Sequence, residues 1–196
     1  KIAITGGETS IHNDTQGLDI SITVSGFIQG QRENRFELGD VLIGLESSGF
    51  HSNCFTKVRE VFGYEFRPEF VEPTKIYWNM VADLCEKFDI HGMMHITGGA
   101  FTKLKDALRN SFDVRITKNH SLRPQEIFYE LYRRGLHDKE MYKTFNCGIG
   151  FVLAVPPGET DNILRLLKGA AIIGEIVKGE GGVLVDSMFS EHTVVL

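Results

Sequence analysis

No run of apolar residues in this sequence approaches the roughly 18 that a bilayer-spanning helix needs, so no membrane partner is expected. Basic residues are not in excess either. Lys and Arg number 21 against 26 Asp and Glu, a formal net charge of −5. A basic surface that grips nucleic acid is therefore not expected, and any phosphate must be held locally, by backbone amides and a few cations. The three cysteines, Cys54, Cys85 and Cys147, are scattered and odd in number, with no CxxC pair. That pattern disfavours a disulfide framework and a zinc site, and favours reduced thiols in a cytoplasmic protein. Walker, GxGxxG, HExxH and GxSxG motifs are absent, as are internal repeats and low-complexity segments. The chain also lacks an initiator Met and opens directly on an apolar run, so it is expected to be a piece of a longer polypeptide.

What is present suits a globular fold. Apolar residues make up 42% and charged residues 24% of 196 positions, enough core for one large domain, or one domain plus part of another. Ile2 to Thr5 and Leu18 to Gln29 are predicted strands. Gln31 to Gly39 is charged and aperiodic, and reads as a linker or domain boundary. Asp40 to Leu45 is a nearly continuous apolar run, as expected for a strand covered on both faces. A helix with Phe55, Val58 and Phe62 on one face follows. A second is predicted to open at Pro73-Thr74, with Ile76, Met80, Leu84 and Phe88 recurring every four residues and Cys85 beside them as core. Strands are predicted at 92–96, 113–117, 148–155, 170–177, 182–185 and 192–195. Further helices are predicted around Phe101, Leu104 and Leu108, around Ile127, Phe128 and Leu131 with Pro124 in the first turn, and over 159–168. Gly179-Glu180-Gly181 reads as a hairpin turn between neighbouring strands. The alternation of strands and helices predicts a layered α/β or α+β fold, a mixed sheet covered by helices.

Two junctions share one design: an apolar strand, a turn of small residues, then a helix. Such a turn leaves free amides at a helix start, where an anion is favoured. The first is Ser47-Ser48-Gly49-Phe50-His51-Ser52-Asn53, whose plainer reading is helix capping by Ser52 or Asn53. The second is Thr97-Gly98-Gly99, whose plainer reading is a tight turn. Thr5-Gly6-Gly7-Glu8-Thr9 is a third small-residue turn. Glu8 at its tip would either meet a metal bonded to phosphates or a ribose hydroxyl, or sit in a solvated loop. His91 and His95 are four apart but have no further ligands at zinc-type spacing, so no metal site is assigned.

These segments, together with Glu140-Met141-Tyr142 and Thr144-Phe145-Asn146-Cys147-Gly148-Ile149-Gly150, resemble the family of phosphoribosylformylglycinamidine cyclo-ligase, or AIR synthetase. The likeness is to its C-terminal half. Gly6 to Thr9 is similar to the family's GGET motif, and Asp40 to Ile43 with Ser47 to Asn53 to its DVLI and SSG-x-HSN segment. Pro73 to Tyr77 is similar to PT(R/K)IY, His95 to Gly99 to H-x-TGG, and Glu140 to Gly150 to EMYRTFNCGVG. Where the family usually has Pro, this chain has Phe50. Cys54 and Ala100 stand where it has Gly, and Ser10 to Asn13 replace an acidic-Met-Pro pattern. A DGVGTK-like ATP motif is not in the sequence.

The resemblance implies an α+β C-terminal domain over 34–196 and the end of an ATP-binding domain over 1–33. It implies ATP- and magnesium-dependent closure of the imidazole ring of aminoimidazole ribonucleotide, in purine biosynthesis, by a cytoplasmic homodimer. ATP would activate the formyl amide oxygen as a phosphate ester, an amidine nitrogen would attack that carbon, and phosphate would leave. His51 is the candidate catalytic residue. Ser48, Gly49, Ser52, Asn53, Thr97, Gly98, Gly99 and Glu8 are the candidate substrate- and phosphate-binding residues, and no protein metal ligand is assigned. The alternatives are another ATP-dependent enzyme of the superfamily or a non-catalytic module. The enzymes are selenophosphate synthetase, thiamine-monophosphate kinase, the hydrogenase-maturation dehydratase and formylglycinamidine ribonucleotide synthetase. The chain alone is expected to be inactive, because the ATP motif is missing.

Overall fold

A computed structural model describes residues 3–7, 9, 17, 20–27 and 33–196. The chain divides into two units, Lys1–Arg32 and Glu33–Leu196. In the first unit, residues 3–5 and 20–27 lie in neither helix nor strand, and Ile20, Ile22, Val24 and Phe27 are exposed. The strands predicted at Ile2–Thr5 and Leu18–Gln29 are thus not formed over those described residues. Alternating side chains alone do not hold an extended segment without a ladder partner.

The second unit is built on a seven-stranded mixed sheet. Its strands are β1 (Val41–Glu46), β2 (Gly92–His95), β3 (Phe112–Ile116), β4 (Ile149–Val155), β5 (Ala170–Lys178), β6 (Val183–Asp186) and β7 (Thr193–Val195). Their spatial order is β2-β4-β1-β5-β3-β6-β7. β1 runs antiparallel to both neighbours, pairing Leu42 with Ala154 on one side and Gly174 on the other. Its apolar residues on both faces explain this inner position. Ile43 and Leu45 pack on one face with Val81 and Leu84 of α2 (Trp78–Lys87) and Ile163 of α5 (Thr160–Leu166). Leu42 faces the other layer. That layer is formed by α1 (Phe55–Phe62), a 3-10 helix (Ala100–Ala107), α3 (Glu126–Arg133) and α4 (Asp138–Thr144). Phe101, Phe128 and Tyr142 fill it, each worth roughly 1.5–3 kcal/mol of burial. The α+β class expected from the sequence is the one observed.

Four local readings need correction. Gly179-Glu180-Gly181 is not a hairpin turn, because β3 lies between β5 and β6 and runs parallel to β6. The loop instead wraps the carboxylate of Asp113, whose Oδ1 accepts the amides of Glu180 and Gly182. Pro73 to Tyr77 is not helical. α2 starts only at Trp78, and Ile76 points to solvent, 81% exposed, outside the buried stripe. Gln31 to Gly39 contains the boundary between the two units, but its described part is not a free linker. Phe36 is fully buried, and the Asn34 side chain bonds both the amide and the carbonyl of Met93, extending the β2 edge. Pro124 precedes α3 rather than sitting in its first turn.

Candidate active site

β1 delivers the first junction. The Ser47 amide donates to Gly148 O at 2.9 Å, and Gln125 Nε2 donates to Ser47 O at 2.7 Å. Gly49 then turns the chain, and its carbonyl accepts from Asn146 Nδ2 at 2.7 Å. His51, Ser52 and Cys54 all have left-handed backbones, with φ of 56°, 51° and 65°. Each costs on the order of 1 kcal/mol, and such strain gathers at functional turns. α1 begins after Cys54, and no side chain caps it. Capping by Ser52 or Asn53 is therefore not what these residues do. The Cys54 thiol donates to Thr144 O, which ties the start of α1 to the Thr144–Gly150 segment.

β2 delivers the second junction. The Ile96 amide donates to Gly150 O, and Thr97 O accepts the amide of Ala100. Gly99 at φ 81° and Ala100 at φ 44° make the turn into a 3-10 helix, where an α-helix was expected. A methyl group added to Gly98 would lie 3.8 Å from Asn53 Oδ1, so the two junctions adjoin with Asn53 between them. Among the described residues, no protein acceptor meets the amides of Gly49, Ser52, Asn53, Gly98 or Gly99. Backbone donors grouped in this way are what a phosphate or another anion uses.

Behind the turns lies a cluster of rings. His51 is only 2% exposed, and its ring centroid sits 5.8 Å from His95 and 6.0 Å from Tyr77. Gly150 makes this packing possible, because a Cβ there would stand 2.0 Å from the Tyr77 hydroxyl and 2.3 Å from His51 Cε1. The Ser48 amide donates to His51 Nε2 at 3.0 Å. In the neutral ring the proton therefore lies on Nδ1. Nδ1 is buried and has no partner, as is His95 Nε2. Burial, then the charges of His95 and Lys75, push the His51 pKa down to about 4, so the ring is neutral at pH 7. Burial likewise lowers His95, with Lys103 adding to it. Such a ring offers an N–H to an oxygen on which negative charge develops. It is not a ready base, since its one lone pair already holds Ser48.

Of the residues proposed from the sequence, Ser48, Gly49, His51, Ser52, Asn53, Thr97, Gly98 and Gly99 converge on one region, while Glu8 lies outside the described residues. His91 is elsewhere, bonded to buried Asp40 at 2.7 Å, so it does not share a ligand with His95. Among the described residues, no group of three or more His, Cys, Asp or Glu side chains could hold a metal. Sequence reading missed the strap Pro73–Tyr77. Ser48 Oγ donates to Pro73 O, Lys75 Nζ meets Glu46 Oε1, and the Tyr77 hydroxyl donates to Glu46 O, each at 2.7 Å. The exposed Ile76 beside buried Tyr77 is the pattern of an extended segment, and it was masked by the four-residue spacing.

The sequence matches the family described as AIR synthase related protein, C-terminal domain, over residues 37–187. A phosphoribosylformylglycinamidine cyclo-ligase of Clostridium novyi is 38% identical, over 82% of this chain and 54% of its own length. One of Methanococcus vannielii is 36% identical, over all of this chain and 61% of its own. The chain thus spans little more than half the length of these curated relatives. Among solved structures, the hydrogenase maturation protein HypE of E. coli has a TM-score of 0.58 at 18% identity, covering 82% of this chain and 50% of that one. Thiamine monophosphate kinase of Aquifex aeolicus has a TM-score of 0.51 at 17% identity, covering 79% and 52%. These two likenesses speak for the fold. The family match extends across six of the seven strands and both glycine turns, and the chain belongs to the family of AIR synthase related proteins, through their C-terminal domain.

Proposed function

We propose that this chain is the C-terminal part of a phosphoribosylformylglycinamidine cyclo-ligase, with 1–33 closing the ATP-binding domain and 34–196 forming the second domain. The substrate would be formylglycinamidine ribonucleotide and the product aminoimidazole ribonucleotide. The observation that carries this reading is the convergence of two glycine turns, with unpaired amides, on a buried neutral imidazole whose Nδ1 has no partner.

The amides of Gly49, Ser52, Asn53, Gly98 and Gly99, with the side chains of Asn53 and Thr97, bind the ribonucleotide phosphate. Ser48 spends its amide on His51 and its hydroxyl on Pro73, and so holds the imidazole in place. His51 Nδ1–H donates to the formyl amide oxygen and stabilises the charge that builds there. ATP, when bound with magnesium, supplies the phosphoryl group that makes this oxygen a leaving group for attack by the amidine nitrogen. The orphaned donor and the free amides suit anionic groups, whereas the acidic ligands magnesium needs are not gathered on the described residues. The reading also carries a homodimer in the cytoplasm. Glu8 would reach the metal or a ribose hydroxyl.

A second reading, another ATP-dependent enzyme of the superfamily, is favoured only by the fold-level likeness to HypE and thiamine monophosphate kinase. Ring closure assayed on the full-length gene product separates the two. ATP-dependent formation of aminoimidazole ribonucleotide is expected there, and none from residues 1–196 alone. Turnover of a different substrate by the full-length product, with none of this one, sinks the assignment.

A further inference from the structure

Glu46 and Lys75 meet directly beside the Ser47–Asn53 turn in an arrangement that the phosphate reading does not use. Glu46 ends β1 directly before the Ser47–Asn53 turn. Its backbone carbonyl holds the Tyr77 hydroxyl, and its carboxylate takes the Lys75 ammonium. The carboxylate has a prepared place: a Cβ on Gly169 would come within 2.5 Å of Glu46 Cδ, and Gly169 is left-handed at φ 68°. Lys75 is carried on the strap that Ser48 pins at Pro73. Lys75 is thus tied to the Ser47–Asn53 turn twice, through Pro73 to Ser48 and through its ion pair to Glu46, the residue before Ser47, and its charge is felt at His51 within that turn. Apart from Glu46, no acidic side chain of the described residues pairs with it. Exposed Lys–Glu pairs contribute little to stability. The glycine turn and the strap bring the pair together through backbone contacts of their own, so the pair itself adds little to the fold.

We propose that Lys75 is the cationic anchor for the phosphate held by the two glycine turns, and that the Glu46 carboxylate is its built-in competitor. This rests on the anion-binding reading of those turns and adds the side chain that supplies charge to them. A phosphate oxygen takes the place of Glu46 Oε1 on the ammonium. The released carboxylate remains hydrated at Gly169, so affinity reflects the difference between two anions and not the full strength of one. Such an exchange makes retention sensitive to the charge of the ligand, since a dianionic phosphate outcompetes a carboxylate and a monoanion does so poorly.

The two partners of a structural ion pair weaken a protein together, whereas an anchor and its competitor act in opposite directions. The 196-residue chain is titrated with inorganic phosphate at constant ionic strength, by calorimetry and by emission of Trp78, the sole tryptophan, three residues from Lys75. Lys75→Met is expected to weaken binding roughly tenfold or more, and Lys75→Arg to restore most of it. Glu46→Gln is expected to tighten binding about threefold, because it removes the competing charge and leaves the backbone carbonyl that holds Tyr77. Thermal melts establish that each variant is folded, and the Glu46→Gln arm stands even if Lys75→Met is not. Equal weakening by both variants, or unchanged affinity in Lys75→Met, overturns the role of Lys75 and leaves the amide cradle standing. No binding by the wild-type chain overturns both.

Discussion

Asn146 Nδ2 donates to the carbonyl of Gly49, while Asn146 Oδ1 accepts the amide of Gly148. Two of the most distinctive stretches of the sequence, nearly a hundred residues apart, are therefore one structural piece. The Thr144–Gly150 segment touches the site through its backbone and through Asn146, and sets the shape of the turn that carries His51. Asn146 is 3% exposed, so its bonds have no competition from water. Replacing it with Ala leaves Gly49 O and Gly148 N–H buried and unpaired. We expect a loss of about 2–4 kcal/mol, measured by urea unfolding. Asn146→Asp keeps the Gly148 acceptor but sets a buried carboxylate against the Gly49 carbonyl, so near neutral pH it should be at least as destabilised as Asn146→Ala.

His51→Ala in the full-length gene product should lower kcat more than it raises KM, because the Nδ1–H contact strengthens as charge develops on the reacting oxygen. Steady-state kinetics check this. A rise in KM with unchanged kcat would make His51 a binding residue only, and wild-type kinetics would remove it from the mechanism.

Stability should fall as pH drops from 6.5 toward 4. His51 and His120 are both buried, and burial is the main cause that lowers each pKa to about 4 from an ordinary 6.5. Between those values the unfolded chain binds protons that the folded chain does not. Stability is thus fully present above 6.5 and is lost as pH falls through the folded pKa. Urea midpoints across this window should slope more gently in His120→Asn than in wild type.

His91 should act in the opposite sense. Burial alone would lower its pKa, but the hydrogen bond and charge of Asp40, with Glu37 and Asp89 nearby, outweigh that and raise it. Its contribution is complete below the unfolded value and is lost as pH rises through the raised one. Asp40→Asn should remove this loss from the alkaline side of the stability profile. The same urea series, extended above pH 6.5, tests it.

Cys54 holds a left-handed position that favours glycine, and its thiol bonds Thr144 O. Cys54→Gly relieves the strain and forfeits the bond, so the net change should stay within about 1 kcal/mol. Cys54→Val puts a β-branched side chain at φ 65°. The added backbone strain and the lost bond should together cost roughly 2 kcal/mol or more. Burial raises the thiol pKa to about 11, so alkylation near neutral pH should be slow in the folded chain and fast in urea.

The sequence made the strands around the site readable because β1 and β4 are apolar on both faces, and because β1 and β2 run into small-residue turns. It also brought His51, Gly49, Gly98 and Gly99 forward as candidates, since short polar and glycine-rich turns after such strands are local signals. Tyr77, Glu46 and Asn146 were not legible as partners. Their contacts cross long stretches of chain, and the helical spacing from Ile76 onward disguised an extended strap. The parallel pairing of β3 with β6 was hidden for a similar reason. A glycine-rich loop reads as a hairpin unless the strand that slides between its arms is known.

Leu42 meets Ala154 on one side and Gly174 on the other. The inner strand of the sheet is therefore the first of its strands to leave the ribosome and among the last to find its neighbours. At ordinary synthesis rates β1 waits on the order of ten seconds with both edges and both apolar faces open. It is during that interval, before β5 arrives, that this chain most needs a chaperone, and a nascent chain stopped before Lys178 should be held by one and should not fold by itself.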